Sequence, residues 1–564
     1  MPITNTIDLK NVKGDIFGGV TAAVIALPMA LTFGVASGAG ASAGLWGAIL
    51  IGFFAALFGG TPSLISEPTG PMTVVMTAVI ATLTAADPEN GLAMAFTVVM
   101  LAGIFQIIFG FFKLGRYITL MPYTVISGFM SGIGVILIIL QTAPFLGQAS
   151  PKGGALGTVQ NLPTLFANIN PLETLLAALT LGILFFYPSK LKKFMPPQLL
   201  ALILGSIIAI LFFGNADIHT IGKISVGLPK LQIPTFETAQ LQTILVNSLV
   251  LGMLGCIDAL LTSLVADSLT RTEHNSNKEL IGQGIGNLVS GLFGGIAGAG
   301  ATMGTVVNIQ AGGRTALSGI TRALILLVVV LGLSQYLTGI PNAVLAGIAF
   351  KVGFDIVDWG FLKRAHKISP KAALIMYGVI ILTVFVDLMV AVGVGVFVAN
   401  ILTIERLSNL RAEKVKAITY DDEEIVLNDE EKQLLERANG RVLLFYLSGP
   451  MIFGVAKAIS RQHNLIDDYQ ALVLDMSEVP FLGVTSALAL ENAITEALEK
   501  DCQVFLVGLQ NQAEERLRKL GVIVKIPSKN FIGDRTIALK QAVDYVDEHI
   551  ADFENYPVSS QAIG

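Results

Sequence analysis

The chain has 564 residues, of which 53% are hydrophobic and 14% are charged. A soluble protein of this length cannot bury so much apolar surface, so the composition excludes an ordinary soluble enzyme and predicts a polytopic α-helical membrane protein. The net charge of −5 argues against a nucleic-acid partner.

The beginning of the chain changes from polar to apolar near residue 16. Residues 1–15 lack the basic start and the cleavage site of a signal peptide, and we expect them to form a cytoplasmic N-terminal segment. No charged residue occurs from Ile16 to Ser66 or from Tyr117 to Pro151. Because a helix needs about 20 apolar residues to cross a bilayer, residues 16–408 predict a transmembrane domain of fourteen spans. Twelve spans are the alternative, if two interrupted segments are loops.

Four Lys/Arg clusters orient the spans, since short cytoplasmic loops retain positive charge. They lie at 113–116, 190–193, 268–278 and 363–367. Fourteen spans place all four clusters and the C-terminal region on the same, cytoplasmic side as the N-terminus. We therefore expect a multi-pass protein of the plasma (inner) membrane.

Two interruptions of the apolar sequence have similar amino-acid sequences. "PTGPMTVVM" and "ATMGTVVN" share Thr-Val-Val at 73–75 and 305–307, and "MPYTVISGFMSGIG" (121–134) then resembles "IPNAVLAGIAFKVG" (340–353). Either the matches arise by chance among apolar segments, or the membrane domain is a duplication of about seven spans. An odd number of spans per copy gives the copies opposite orientations, which is the inverted repeat of many secondary transporters. We expect this inverted 7+7 arrangement.

The interruptions predict two half-helices. Pro68 and Pro71 prevent helical hydrogen bonding around Thr69, so a half-helix is expected to begin there. A second is expected to begin near Ala301–Thr302. Facing helix starts with free N–H groups attract a small anion, and the two threonines add hydroxyl groups as caps or as ligands. Ordinary loops with capping residues are the alternative interpretation.

Asp258 lies deep in an apolar segment, where a carboxylate costs about 2.5–3.5 kcal/mol or more and is usually functional. Thr262 follows one helical turn later on the same face. With the Gly300 carbonyl and the Thr302 hydroxyl, these two residues predict an oxygen cage for Na⁺. A structural hydrogen bond or a protonated carboxyl group are the alternatives for Asp258.

The charge balance of this site is also predicted from the sequence. Two helix starts supply only about half a positive charge each, and neither interruption contains Lys or Arg. A bound cation would therefore help to hold the anion, and each ion would raise the occupancy of the other by the same factor. Glu67 precedes the first interruption and either belongs to this pocket or lines an entry path.

Charged residues become frequent after about residue 411. Strand-like sequence at 441–449, 471–477, 502–509 and 521–527 alternates with helical sequence. This pattern predicts a linker at 409–435, a cytoplasmic α/β domain at 436–555 and a tail at 556–564.

Long motifs in the chain resemble the SulP family of anion transporters, whose members carry a membrane domain followed by a STAS domain. The motifs are "GDIFGGVTAAVIALPMALTFGVASG", "SEPTGPM", "NKELIGQGIGNLVSGLFGGIAGAGATMGTVVNIQAGGRTALSG" and, in the tail, "VLLFYLSGPMIFGVA" and "ALVLDMSEVPFLGVTSALALENA". The resemblance covers almost the whole chain. It implies a UraA-like fold with core and gate domains, elevator-type alternating access, and a homodimer formed in part through the STAS domain.

Within the family the chain most resembles the cyanobacterial sodium-dependent bicarbonate transporters. Met303-Gly304 stands where many relatives have Ser-Arg, and Na⁺ would fill that missing charge. The resemblance implies bicarbonate contacts and Na⁺ contacts, with Na⁺ as a co-transported ion and no other cofactor. The bicarbonate contacts are Thr69, Gly300, Ala301 and Thr302, and the Na⁺ contacts are Asp258, Thr262, Gly300 and Thr302.

In STAS relatives an Asp often lies two residues before a phosphorylated Ser or Thr. Gly483 occupies the place of that Asp here, and Thr485 is the candidate acceptor. A folded dimerisation or regulatory module is favoured over a phosphorylation switch.

Three functions follow. The first is Na⁺/bicarbonate symport, the second is transport of sulfate or another oxyanion driven by H⁺ or by exchange, and the third is a non-transporting, membrane-anchored STAS signalling protein. No enzymatic activity is expected, because the five histidines are scattered and no paired-carboxylate motif occurs.

Overall fold

The computed structural model describes residues 4–549 except 6, 8, 119–121, 189–194, 214–217, 223–227, 387, 413, 421–424, 453–454 and 464–468. The chain forms two compact units, Met1–Phe397 and Val398–Gly564. The basic cluster at 190–193 and the predicted tail at 556–564 lie outside the described residues.

Within its described residues, the first unit consists of helices and two very short strands. Its elements in chain order are α1 Val12–Ala36, α2 Ala41–Phe58, β1 Ser66–Glu67, α3 Gly70–Ala86, α4 Gly91–Phe111, α5 Gly115–Ile118, α6 Tyr123–Phe145, α7 Gly154–Gln160, α8 Leu162–Ala167, α9 Pro171–Phe186, α10 Pro197–Phe213, α11 Leu241–Thr270, α12 Ser276–Leu292, β2 Ala299–Gly300, α13 Thr302–Gln310, α14 Ala316–Leu337, α15 Asn342–Ile356, α16 Trp359–Leu362, α17 Ala365–Ile368, α18 Pro370–Phe385 and α19 Leu388–Ala412, which continues into the second unit.

Many of these helices have the length and composition of membrane spans. Among the described residues, seven helices are long and apolar enough to cross a bilayer, and four further apolar helices are shorter. The seven lie at Val12–Ala36, Ala41–Phe58, Gly91–Phe111, Tyr123–Phe145, Thr238–Thr270, Ala316–Leu333 and Val390–Leu410. A multi-pass helical membrane domain is therefore supported, while the count of fourteen spans stays a prediction.

The two interruptions meet in space. β1 and β2 form a two-stranded antiparallel pair, in which Ser66 faces Gly300 and Glu67 faces Ala299. The helices that follow, α3 and α13, begin at Gly70 and Thr302, within one residue of the predicted starts.

Two glycines aligned in the sequence comparison also contact each other. A Cβ atom on Gly134 of α6 would lie 2.6 Å from the Gly353 carbonyl oxygen, and one on Gly353 of α15 would lie 2.8 Å from the Gly134 carbonyl oxygen. Only glycine therefore permits the close packing of α6 on α15. Likewise, Gly128 of α6 packs against α18, and Gly347 of α15 packs against α9.

The second unit is a layered α/β domain. After the end of α19 its elements are β3 Val415–Ile418, α20 Asp429–Ala438, β4 Val442–Ser448, α21 Val455–His463, β5 Ala471–Glu478, α22 Val484–Glu499, β6 Gln503–Val507, α23 Asn511–Lys519, β7 Phe531–Ile532 and α24 Arg535–Glu548. The sheet order is β3-β4-β5-β6-β7, with β3 antiparallel to β4 and the other pairs parallel.

Alternating residues of β4 face the two sides of this sheet. Leu443 and Phe445 belong to an apolar cluster with residues of α21, α22 and α23, whereas Leu444 belongs to another with residues of α20 and α24. Both faces are thus covered by helices, which is typical of a mostly parallel sheet.

The prediction of a strand at 521–527 is wrong. This segment contains a short 3₁₀ helix at Ile523–Lys525, and the fourth strand of the parallel set is β7, a few residues later. Its apolar pattern arises because Val522 and Ile526 are buried in the core beside the sheet. Gly521 begins the turn with a φ of 77°, a conformation that glycine adopts readily.

An ion pair joins α20 to α24. Arg535 Nε lies 2.8 Å from Glu431 Oε1, and Arg535 Nη2 lies 3.0 Å from Glu431 Oε2. Burial alone would raise the pKa of Glu431, but hydrogen bonds from Arg535 and from the Asn428 backbone hold it below its usual value. The stabilisation that this carboxylate provides is therefore complete above about pH 4.5 and is lost as the pH falls through the lowered pKa.

We expect Glu431→Gln to lower the free energy of local opening of α20 by about 2 kcal/mol at pH 7, because hydrogen bonds to a charged group are lost. The difference in opening free energy between the variant and the unmodified protein should shrink as the pH falls through the pKa of Glu431. Hydrogen–deuterium exchange of the full-length protein measures this free energy. Glu430→Gln, which removes an exposed neighbouring charge, is the matched control, and equal exchange in Glu431→Gln and the control at pH 7 would contradict the assignment.

Candidate functional site

The site lies where α3 and α13 begin. The Thr69 and Ala301 carbonyl groups accept hydrogen bonds from Thr73 N and Thr305 N, each 2.9 Å long, so both residues act as backbone N-caps. Neither N-cap side chain bonds to its own helix. The first N–H groups of the two helices therefore point towards the junction without a side-chain cap.

Asp258 contacts the first of these helix starts. This aspartate of α11 is only 7% exposed, and its Oδ2 accepts a hydrogen bond of 2.7 Å from Thr69 Oγ1. The Thr69 hydroxyl is thus bound to a carboxylate and does not cap α3. This contact is also the structural hydrogen bond considered above as an alternative role for Asp258.

Thr262 contacts the second helix start. Its Oγ1 donates to the Gly300 carbonyl oxygen at 2.8 Å and lies 2.9 Å from Thr302 Oγ1. Because the Thr262 hydroxyl has one hydrogen, it donates to the carbonyl and accepts from Thr302. Thr262, one helical turn along α11 from Asp258, is therefore within hydrogen-bonding distance of two other predicted Na⁺ ligands, Gly300 and Thr302.

The junction is buried on one side and open on the other. Thr69, Asp258 and Thr262 are buried, Ala301 is half-buried, and Thr302 is exposed. Met303 beside it is 44% exposed. The oxygen atoms are thus reached from the α13 side of the junction.

Amide side chains fix the backbone that leads into α13. Asn287 of α12 donates to the Gly298 carbonyl and accepts from Gly298 N, both at 2.9 Å, and it also donates to Gln106 of α4 at 2.9 Å. These bonds satisfy backbone groups that the interruption removes from helical pairing. Asn287 and Gln106 do not stand out in the sequence, because polar amides in glycine-rich apolar sequence resemble ordinary helix-contact residues.

Glu67 is buried behind the junction and pairs with Arg322 of α14. It therefore does not line an entry path. Arg322 Nη1 also donates to the carbonyl oxygens of Ala48 and Ser66 at 3.0 and 2.9 Å. Arg322 was not among the predicted site residues. It is the only charged residue of the apolar stretch 315–337, so the cost of a charge in an apolar segment, which indicates a role for Asp258, indicates one for Arg322 as well.

The candidate acceptor of the second unit lies at a helix start. Thr485 is exposed and is the second residue of α22, after the N-cap residue Gly483. A Cβ atom on Gly483 would lie 2.9 Å from the Met451 carbonyl oxygen. A larger side chain, aspartate included, would fit at position 483 only if the neighbouring backbone moved.

Comparison with known proteins identifies the family. Residues 12–379 match the sulfate permease family model, and residues 434–534 match the STAS domain model. The chain is 68% identical to "Bicarbonate transporter BicA" of Synechocystis sp. (strain ATCC 27184 / PCC 6803 / Kazusa), over 99% of both chains. It is 67% identical to the protein of the same name from Picosynechococcus sp. (strain ATCC 27264 / PCC 7002 / PR-6), over 99% of this chain and 100% of the relative.

Solved structures agree with this assignment. The transmembrane domain of a cyanobacterium bicarbonate transporter BicA is 72% identical and matches 69% of this chain and 100% of its own, with a TM-score of 0.66. SLC26A9, at 17% identity, has the same fold over 97% of this chain and 92% of its own, with a TM-score of 0.80. The chain belongs to the sulfate permease family and carries a STAS domain, which confirms the predicted family.

We expect Gly298→Ala to destabilise the protein by roughly 1–3 kcal/mol, since a Cβ atom there would lie 2.4 Å from the Glu67 carbonyl oxygen. Thermal unfolding of the detergent-solubilised protein measures the effect. Gly332→Ala in α14, where a Cβ atom meets nothing within 4 Å, is the matched control and should leave stability unchanged or slightly higher. Equal unfolding curves for the two variants would contradict the close contact between Gly298 and the Glu67 carbonyl oxygen.

Proposed function

We propose that the protein takes up bicarbonate together with Na⁺ across the plasma membrane. The observation that carries this proposal is the group of oxygen atoms at the junction of α3 and α13, formed by Asp258, Thr262, Gly300 and Thr302. The two relatives of 67–68% identity, both named bicarbonate transporters, support bicarbonate as the substrate.

The helix starts supply the anion side of the site. Backbone N–H groups of two helix N-termini carry about half a positive charge each, and bicarbonate accepts hydrogen bonds from them. Thr69, Gly300, Ala301 and Thr302 lie at these starts and are the proposed bicarbonate contacts. The exposed side of α13 gives the anion access.

The oxygen atoms on α11 and β2 supply the cation side. Hydroxyl, carbonyl and carboxylate oxygens at a broken helix are the usual ligands of a transported Na⁺. Binding would exchange the hydrogen bonds of Thr262 to Gly300 and Thr302 for oxygen–Na⁺ contacts, with the Thr262 proton turned away. Asp258 supplies the negative charge that compensates for dehydration of the cation.

Coupling follows from the shared position of the two sites. Gly300 and Thr302 belong to both proposed ligand sets, so a bound cation lies beside the bound anion and raises its affinity. Na⁺ is therefore co-transported cargo in this proposal.

An inverted repeat would give the motion that transport requires. The antiparallel pairing of β1 with β2 and the mutual contact of Gly134 and Gly353 support such a repeat, because equivalent segments of two inverted copies meet around a local two-fold axis. We propose fourteen spans in two sets of seven, elevator-type movement of a core against a gate domain, a cytoplasmic STAS domain, and a homodimer formed in part through it.

We expect Na⁺-dependent uptake of labelled bicarbonate into proteoliposomes that contain the full-length protein. Asp258→Asn should abolish the Na⁺ stimulation, a loss of about five-fold or more, because the cation loses its charged ligand. Asp267→Asn, which changes a carboxylate about two and a half turns further along the same helix, is the matched control and should retain the Na⁺ stimulation.

Other outcomes of this experiment would contradict the proposal. Sulfate uptake that is indifferent to Na⁺, without bicarbonate uptake, would favour the oxyanion transport suggested by the family description. Absence of any uptake by a folded protein would favour a signalling role for the membrane domain. Unchanged Na⁺ stimulation in Asp258→Asn would remove Asp258 from the cation site.

A further inference from the structure

A fully buried ion pair lies directly behind the proposed anion site. Arg322 is 0% exposed, and its guanidinium group contacts the Glu67 carboxylate, the Ser66 carbonyl and the Ala48 carbonyl. A Cβ atom on Gly52 would lie 2.3 Å from Arg322 Nη1, so the neighbouring helix α2 leaves room for the guanidinium only because glycine occupies that position. The position of the positive charge is therefore fixed.

The pair is close to the first turn of α13. Gly304 is the third residue of that helix, and a Cβ atom on Gly304 would lie 3.5 Å from Glu67 Oε1. Glu67 itself belongs to β1, directly opposite Ala299. The carboxylate and its guanidinium partner are thus beside the N–H groups proposed to hold bicarbonate.

Charge at this position acts directly on an anion at the α13 start. An unpaired carboxylate here would compete with bicarbonate for the positive end of the helix, whereas an unpaired guanidinium would attract it. In the ion pair, the negative charge of Glu67 and the positive charge of Arg322 nearly cancel. The positive charge of the site then comes only from the partial charges of the helix ends, and a separate cation must supply the remaining positive charge.

We propose that Glu67 determines the Na⁺ requirement by neutralising Arg322. Without the glutamate, Arg322 would act as a built-in cation beside the anion and would partly replace Na⁺. This inference rests on the proposed function and names the residue that sets its ion dependence. A purely structural role, in which Arg322 only fixes β1 through Ser66, makes a different prediction.

The test compares Glu67→Gln with the double variant Glu67→Gln/Arg322→Gln. The single variant keeps the guanidinium charge, since arginine does not deprotonate in proteins, and the double variant has a neutral pair. Bicarbonate-dependent thermal stabilisation of the purified full-length protein, in Na⁺-free and in Na⁺-saturated buffer, measures anion binding. Uptake into proteoliposomes under the same two conditions is the second measurement.

The ratio of bicarbonate affinities with and without Na⁺, about five-fold or more in the unmodified protein, should fall towards one in Glu67→Gln, because binding tightens in Na⁺-free buffer. In the double variant the ratio should return towards that of the unmodified protein. A structural role predicts the same ratio in both variants. That result, or a ratio in Glu67→Gln equal to that of the unmodified protein, overturns the inference.

Two controls separate the possible failures. The same result is expected for Glu67→Ala, and this variant replaces Glu67→Gln if the glutamine variant is not recovered as a folded protein. Failure of the proposed function is visible in the unmodified protein, as absence of Na⁺-dependent bicarbonate binding. Failure of the inference is visible only when the affinity ratios of the single and double variants are compared.

Discussion

Backbone N–H and C=O groups cannot be left without partners inside a membrane, and the pairing of β1 with β2 is what allows two helices to begin within this domain. The strands satisfy each other, and Asn287 satisfies the backbone of Gly298 beside them. The first N–H groups of α3 and α13 have no side-chain cap at their N-cap residues. The pairing of the strands thereby brings two helix starts to one junction, where we propose that the anion binds.

Three buried charged side chains lie around this pair of strands. α11 places Asp258 at the α3 start and Thr262 at the α13 start, one helical turn apart. α14 places Arg322 on the other side, where it binds Glu67. One aspartate thus faces the junction without a cationic side chain bound to it in the described contacts, while the second acidic group is neutralised. The arrangement favours a bound cation close to Asp258 and an anion at the helix starts.

Much of this arrangement could be predicted from local sequence. Pro68 and Pro71 exclude a continuous helix, Asp258 is costly at its depth, and Thr262 follows from helical periodicity. The partners of Glu67 and Thr69 could not be predicted, since they lie 255 and 189 positions away and depend on how helices pack. The strand predicted at 521–527 was wrong for a related reason, because residues that pack a turn into the core have the same apolar pattern as a strand.

In the proposed mechanism, bicarbonate and Na⁺ bind side by side at this junction and stabilise each other. Titration calorimetry of the purified full-length protein tests it most directly, by measuring the Kd of bicarbonate without and with saturating Na⁺, and the Kd of Na⁺ without and with saturating bicarbonate. Each ion should tighten the binding of the other by the same factor, about five-fold or more. A bicarbonate Kd that does not change with Na⁺ would contradict it.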